Sequence, residues 1–156
     1  MEFTFFFLVV WLVASLFAVL KKNLTIADNT FVYLVILIFN IHYAWLLEGE
    51  WKLIKITTNH LYFISYNLFW YIAIPFVLLI FLNAISKRKS LFRKMLSACV
   101  SIVFLLIMTA ICNHYEIISY KKWSLAYDGI YFIALHVIAA YFCKTYRKLS
   151  YREVVN

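Results

Sequence analysis

Glycine and proline are almost missing from this chain of 156 residues, which holds two Gly and one Pro. That scarcity excludes a flexible linker, a low-complexity tail and a glycine-rich phosphate loop. Acidic residues are nearly as rare, at seven Asp and Glu, and charged residues reach only 14%, against about 25% in soluble domains. The three cysteines, Cys99, Cys112 and Cys143, are odd in number and lie in or beside apolar runs. They form no Cys-x-x-Cys pair and read as small buried hydrophobes, not as a disulfide framework. No His-Glu-x-x-His, nucleophile elbow or repeat of fixed period is present. These absences remove the usual signatures of soluble enzymes and metal domains.

What is present is hydrophobic: 66% of the residues, with aromatics at 21%. A soluble domain of this length has too little interior for so many apolar side chains, so lipid must cover much of the surface. Five apolar runs, residues 3–20, 31–47, 61–85, 95–114 and 125–143, predict an all-α fold. It is a single integral membrane bundle of five transmembrane helices covering residues 1–156. The first run is about 27 Å long as a helix, enough to span. Lys21-Lys22 follow it and no basic residue precedes it, the reverse of a cleaved signal peptide, so it is expected to stay as a helix. Thr4 and Ser15 are its only polar side chains, so it should face lipid most. The third run is about 37 Å as a helix and should tilt or kink, with Pro75 past its middle as the reason. The turn at 115–124 is short, so the last two helices should be antiparallel neighbours.

The net charge is +8, and its placement matters more than its size. Residues 86–94 hold five basic side chains, Lys87, Arg88, Lys89, Arg93 and Lys94. Five spans put this loop on one side with the 21–30 turn and the 144–156 tail, eleven Lys and Arg together, and leave four on the other side. Positive residues stay cytoplasmic, so the N-terminus should be outside and the C-terminus inside. The basic loop is a topology anchor. Its expected partner is the anionic headgroup layer of the bilayer, with other membrane proteins possible and no nucleic acid, since no soluble domain presents these charges to a duplex.

Polar side chains within the spans concentrate toward the outer half: Glu116, Asp128, His42 and Asn67, with Asn40 and His136 nearer the midplane. The inner half carries Ser, Thr, Cys and the terminal Asn83. Ionisable residues inside a span are expensive, about 2.5–3.5 kcal/mol at the centre, so Glu116, Asp128, His136, His42 and Asn67 are a candidate polar cavity open to the exterior. On the plain reading His136, Asn40, His42 and Asn67 bridge helices by hydrogen bonds. Glu116 and Asp128 then pair with Lys121 and Lys122 inside an interfacial belt of Tyr115, Tyr120, Trp123 and Tyr127. On the alternative, Glu116, Asp128 and His136 converge between the last two helices as a proton relay. Asn40 and His42, two apart, point to opposite helix faces and cannot both line one cavity. No catalytic set, metal site or cofactor is expected.

Two stretches resemble a family of small multi-pass membrane proteins of endospore-forming Gram-positive bacteria. One is 67–75, Asn-Leu-Phe-Trp-Tyr-Ile-Ala-Ile-Pro; the other is 116–124, Glu-Ile-Ile-Ser-Tyr-Lys-Lys-Trp-Ser. Lys121-Lys122 stands where the family pattern has a glycine before the tryptophan. The family has no established activity, so the resemblance implies a host type and a membrane location and no catalytic residues. The expected function is a non-enzymatic structural or interaction protein of the cell membrane, and the alternative is a small transporter or proton-coupled permease subunit.

Overall fold

The computed structural model describes residues 2–86 and 90–155. Lys87, Arg88 and Lys89 therefore lie outside the described residues. Five helices make up most of the described chain: α1 Glu2–Val19, α2 Ile26–Glu50, α3 His60–Ile85, α4 Leu91–His114 and α5 Leu125–Val155. Helices α2 to α5 are long and apolar enough to cross a membrane, and α1 is apolar but shorter. The described residues also contain one element the apolar pattern does not predict, a two-stranded antiparallel ribbon of β1 Ile54–Ile56 and β2 Ile118–Tyr120.

Helix α3 is the hub. It packs against each of the other four, while α5 also packs against α2 and α4, and α1 makes its main contacts with α3. Helices α4 and α5 are neighbours, as the short turn between them requires. The buried seam of α2 is Val32, Ile36, Asn40 and Ala44, and that of α5 is Asp128, Phe132, Leu135, Ala139 and Cys143, both at the three-to-four spacing of one helix face. The opposite faces are equally apolar. Leu34, Ile38, Ile41 and Trp45 on α2 are exposed, as are Val100, Val103 and Ile107 on α4 and Ile130, Ile133, Val137 and Tyr141 on α5. A helix hydrophobic on all sides suits a solvent that is itself apolar. Of the cysteines, Cys112 and Cys143 are buried, whereas Cys99 is exposed on α4.

Two helix boundaries differ most from the apolar runs, for local reasons. Helix α2 starts at Ile26 because Thr25 and Asp28 form a capping box: Thr25 Oγ1 accepts from the Asp28 N–H at 3.1 Å, and Asp28 Oδ2 accepts from the Thr25 N–H at 3.0 Å. This lengthens the second apolar helix to 25 residues and puts Asp28 and Asn29, both buried, at its first turn. Helix α5 runs past residue 143 into the basic tail, where Lys, Arg and Leu favour helix and no Gly or Pro stops it.

Near Pro75 the backbone of α3 leaves the regular α-helical hydrogen-bond pattern. At Phe69–Ala73 the helix widens to a π turn, with the Ile74 N–H donating to Phe69 O. Pro75 has no N–H, so it leaves Trp70 O without a partner in the π register and Tyr71 O without one in the α register. Helix α2 supplies both missing donors. Asn40 Nδ2 donates to Trp70 O at 2.9 Å, and the Tyr33 hydroxyl donates to Tyr71 O at 3.1 Å. Tyr33 and Asn40 are seven apart and share a helix face. At the other end of α3, Asn83 Oδ1 accepts from the N–H groups of Asn23 (2.9 Å) and Leu24 (3.1 Å), and Asn83 Nδ2 donates to Asn29 Oδ1 at 2.8 Å. That one amide holds the α1–α2 turn.

Candidate functional site

The site forms where the ribbon covers the ends of α2 and α5. Helix α4 stops in a Schellman motif: the Ile117 N–H donates to Cys112 O at 2.9 Å and the Glu116 N–H to Asn113 O at 3.2 Å. Glu116 occupies the left-handed position of that motif, at φ 54. Lys52 turns the chain the same way after α2, at φ 50. The two reversals aim their strands at each other, pairing Ile54 with Tyr120 and Ile56 with Ile118. Both isoleucines of β1 and Ile118 are buried. The N–H groups of Lys121 and Lys122 donate to Leu53 O at 2.9 and 3.2 Å, which tightens the turn without a glycine and brings Trp123 over the start of α5.

Asp128, in the first turn of α5 and 2% exposed, is the centre. Its Oδ1 accepts from the Tyr43 hydroxyl at 2.9 Å and from Trp123 Nε1 at 3.0 Å. Its Oδ2 accepts from the Tyr120 hydroxyl. Burying a carboxylate carries a penalty of several kcal/mol, and three donors aimed at it are what offset that. Burial pushes the Tyr120 phenol above the ordinary tyrosine range, and the Asp128 carboxylate adds to this, so Tyr120 remains a donor at working pH.

The cage is stiffened by stacking. Tyr43 lies against Tyr131 with centroids 3.6 Å apart and 7° between planes, and against Trp70 at 6.0 Å and 8°. Trp70 in turn stacks on Tyr66 at 5.6 Å. The Tyr131 hydroxyl donates to Asn40 Oδ1 at 2.6 Å, and Trp70 Nε1 donates to Asn40 O at 3.3 Å. Asn40, fully buried, is thus joined to α3 and α5 at once. Through Tyr43, Asn40, Trp70 and Tyr131 the ring of helices that closes on Asp128 is the same one that repairs the π turn.

The remaining sequence candidates do not meet at Asp128. Glu116 is exposed in its turn. His136, buried on α5, lies about 12 Å along the helix from Asp128. Its Nδ1 donates to Phe132 O at 2.7 Å, and in that neutral tautomer Nε2 accepts from the Ser101 hydroxyl at 2.9 Å. This is an α4–α5 bridge separate from the cage. His42 is exposed, with Nδ1 donating to Ile38 O at 2.8 Å. It lines a groove of about 420 Å³ walled otherwise by Ile38, Phe39, Leu46 and the rings of Tyr43 and Tyr131. Asn67 is half-buried on α3 and makes no hydrogen bond to any of the other four candidates. Of the basic anchor, Arg93 is exposed and Lys94 half-buried at the start of α4.

Tyr43, Tyr131 and Asn40 carry the site, and the polar pattern singled out only Asn40. Tyr120 and Trp123, read from sequence as interfacial anchors, turn inward. Their spacings of eight and five from Asp128 carry no helical signal, because a strand and a turn intervene. Chemically the cage holds a carboxylate that accepts from two phenols and an indole, and it fastens three helices and the ribbon at one end.

Glu116 also carries a backbone cost. A non-glycine residue in the left-handed region costs about 1–2 kcal/mol, and its carboxylate is outside the cage. Glu116→Gly is therefore expected to stabilise the protein by about 1 kcal/mol, visible as a raised Tm of the purified protein. A lowered Tm would assign the Glu116 carboxylate a structural partner.

Comparison of the chain with protein-family models, with curated proteins and with solved structures found no match.

Proposed function

We propose that the chain is a non-enzymatic, five-span protein of the cytoplasmic membrane, N-terminus outside and C-terminus in the cytoplasm, acting through lateral contacts with lipids or other membrane proteins. The observation that supports this most is the division of side chains. The buried polar groups Asn40, Asp128, His136 and Asn83 are taken up by intramolecular hydrogen bonds, while the faces turned outward on α2, α4 and α5 are apolar stripes. Such a molecule offers its flanks, not a reaction centre. The basic residues of 21–22, 86–94 and 144–152 then meet anionic headgroups on the cytoplasmic side. The resemblance of 67–75 and 116–124 to the endospore-former family belongs to the same proposal and supplies the host type.

Topology is tested with single introduced cysteines in a Cys99→Ser background, because Cys112 and Cys143 are themselves buried. Thr58→Cys, at an exposed position between β1 and α3, is expected to react with a membrane-impermeant maleimide on intact cells. Ser150→Cys, exposed near the end of α5, should react only after permeabilisation. The reverse pattern would invert the protein, and labelling of both in intact cells would leave an even number of spans between the two positions in place of α3, α4 and α5.

A further inference from the structure

At the end of the bundle away from the cage lies a cavity of about 510 Å³ between the end of α3, the start of α4 and the basic part of α5. Four of its lining residues are cations: Lys94, Lys144, Arg147 and Lys148. No acid lines it, and Asp28, 3.8 Å from Arg147 Nε, offsets one of the four. Lys144, Arg147 and Lys148 sit at the zero, three and four positions of one helix face, and Ala140 continues that face one turn deeper into the apolar part of the bundle. Leu82 and Ile85 wall the opposite side. The cavity is thus basic at its mouth and apolar at its base. Its volume lies in the range of ordinary small-molecule sites.

We propose that this cavity binds the headgroup of an anionic glycerophospholipid, holding the phosphate among Lys94, Lys144, Arg147 and Lys148. The inference rests on the membrane-spanning reading above and deepens it from general charge attraction to one site. The shared chemistry is a phosphate monoanion, which a soluble phosphate could also supply. The lipid is the source chosen because the four cations share the cavity with the apolar side chains of Leu24, Leu82, Ile85 and Ala140, and the exposed apolar Met95 of α4 and Tyr141 of α5 adjoin the lining residues Lys94 and Ala140 along their helices. An acyl chain leaving the cavity can lie along those side chains, whereas a soluble ion would gain nothing from them. Basic pockets between spanning helices on the cytoplasmic side are suited to anionic headgroups for the same reason.

The test uses the full-length protein purified in a neutral detergent. Phosphatidylglycerol, phosphatidylcholine or inorganic phosphate is added, and thermal unfolding is followed. Phosphatidylglycerol should raise Tm saturably; phosphatidylcholine and inorganic phosphate should not. Lys144→Gln/Lys148→Gln should raise the half-saturating phosphatidylglycerol fraction roughly 30-fold, about fivefold per charge, with little change in Tm before lipid is added. Lys21→Gln/Lys22→Gln removes two exposed cations outside the cavity and should leave the lipid response intact. Ala140→Phe keeps every charge and fills the base, and should abolish the response. Equal stabilisation by phosphatidylcholine, equal stabilisation by inorganic phosphate, or an equal loss in both lysine pairs would each overturn the lipid site. If Ala140→Phe does not fold, the two lysine pairs still decide. Membranes washed with alkaline carbonate separate the two readings: a retained protein that ignores phosphatidylglycerol loses only the lipid site, and a released protein loses the spanning topology as well.

Discussion

Asp128→Ala is expected to destabilise the protein by about 3 kcal/mol, and Asp128→Asn by about half as much. Alanine leaves the Tyr43 and Tyr120 hydroxyls and Trp123 Nε1 facing an empty space, and each buried unsatisfied donor costs about 1–3 kcal/mol. Trp123 and Tyr120 are only partly buried, so water at that end recovers some of the loss and the lower part of the range applies. Asparagine keeps one oxygen for Tyr43 and Trp123, and its amide can donate to a reoriented Tyr120 hydroxyl, which has lone pairs to accept with. The measurement is reversible unfolding of the purified protein, with steady-state membrane abundance as the cellular counterpart. The order of the two variants is the informative part. If Asp128→Asn kept normal stability and abundance while a deletion phenotype went uncomplemented, the proton-coupled alternative would gain over the structural role of the cage.

Asn40→Leu should cost about 3 kcal/mol, whereas His42→Ala, two residues away, should change stability by less than about 0.5 kcal/mol. Leucine strands two groups. Trp70 O has already lost its backbone donor to Pro75, and the Tyr131 hydroxyl has Asn40 Oδ1 as its acceptor. At the average for hydrogen bonds between membrane helices, about 0.6 kcal/mol each, the loss would be near 1 kcal/mol. Here the carbonyl belongs to a broken helical ladder and has no backbone donor to fall back on, so the orphaned-group penalty of about 1–3 kcal/mol applies to each. A cost near 1 kcal/mol would mean that the π turn closes back toward an α-helical register once Asn40 is gone. His42 makes one bond to its own helix and is exposed, which is why little depends on it.

The apolar runs place five helices to within a few residues at most ends, since a run of that length and composition has few other ways to satisfy its backbone. They miss what local side-chain chemistry adds. The Thr25/Asp28 box draws polar residues into α2, and nothing in the tail halts α5. The ribbon is invisible because three-residue strands leave no periodic signal, and its register is set by two left-handed residues, Lys52 and Glu116, that are not glycine. Depth alone defines the candidate polar set. Depth marks Asp128, Asn40 and His136 as residues needing partners, and all three have them, but it cannot say which partners.

The chain by itself therefore determined the helical class, the lipid-like exterior, the charge asymmetry between the two ends and the loss of a backbone donor at Pro75. Those follow from composition and from order along the chain. Only the tertiary structure decided that Glu116, Asp128 and His136 stay apart, that Tyr43, Tyr120 and Trp123 enclose Asp128, and that Tyr33 and Asn40 supply the donors Pro75 lacks. Each of those pairings joins residues from different helices or across a strand and turn, and hydrogen bonds are made by direction and distance in space, which spacing along one helix does not specify.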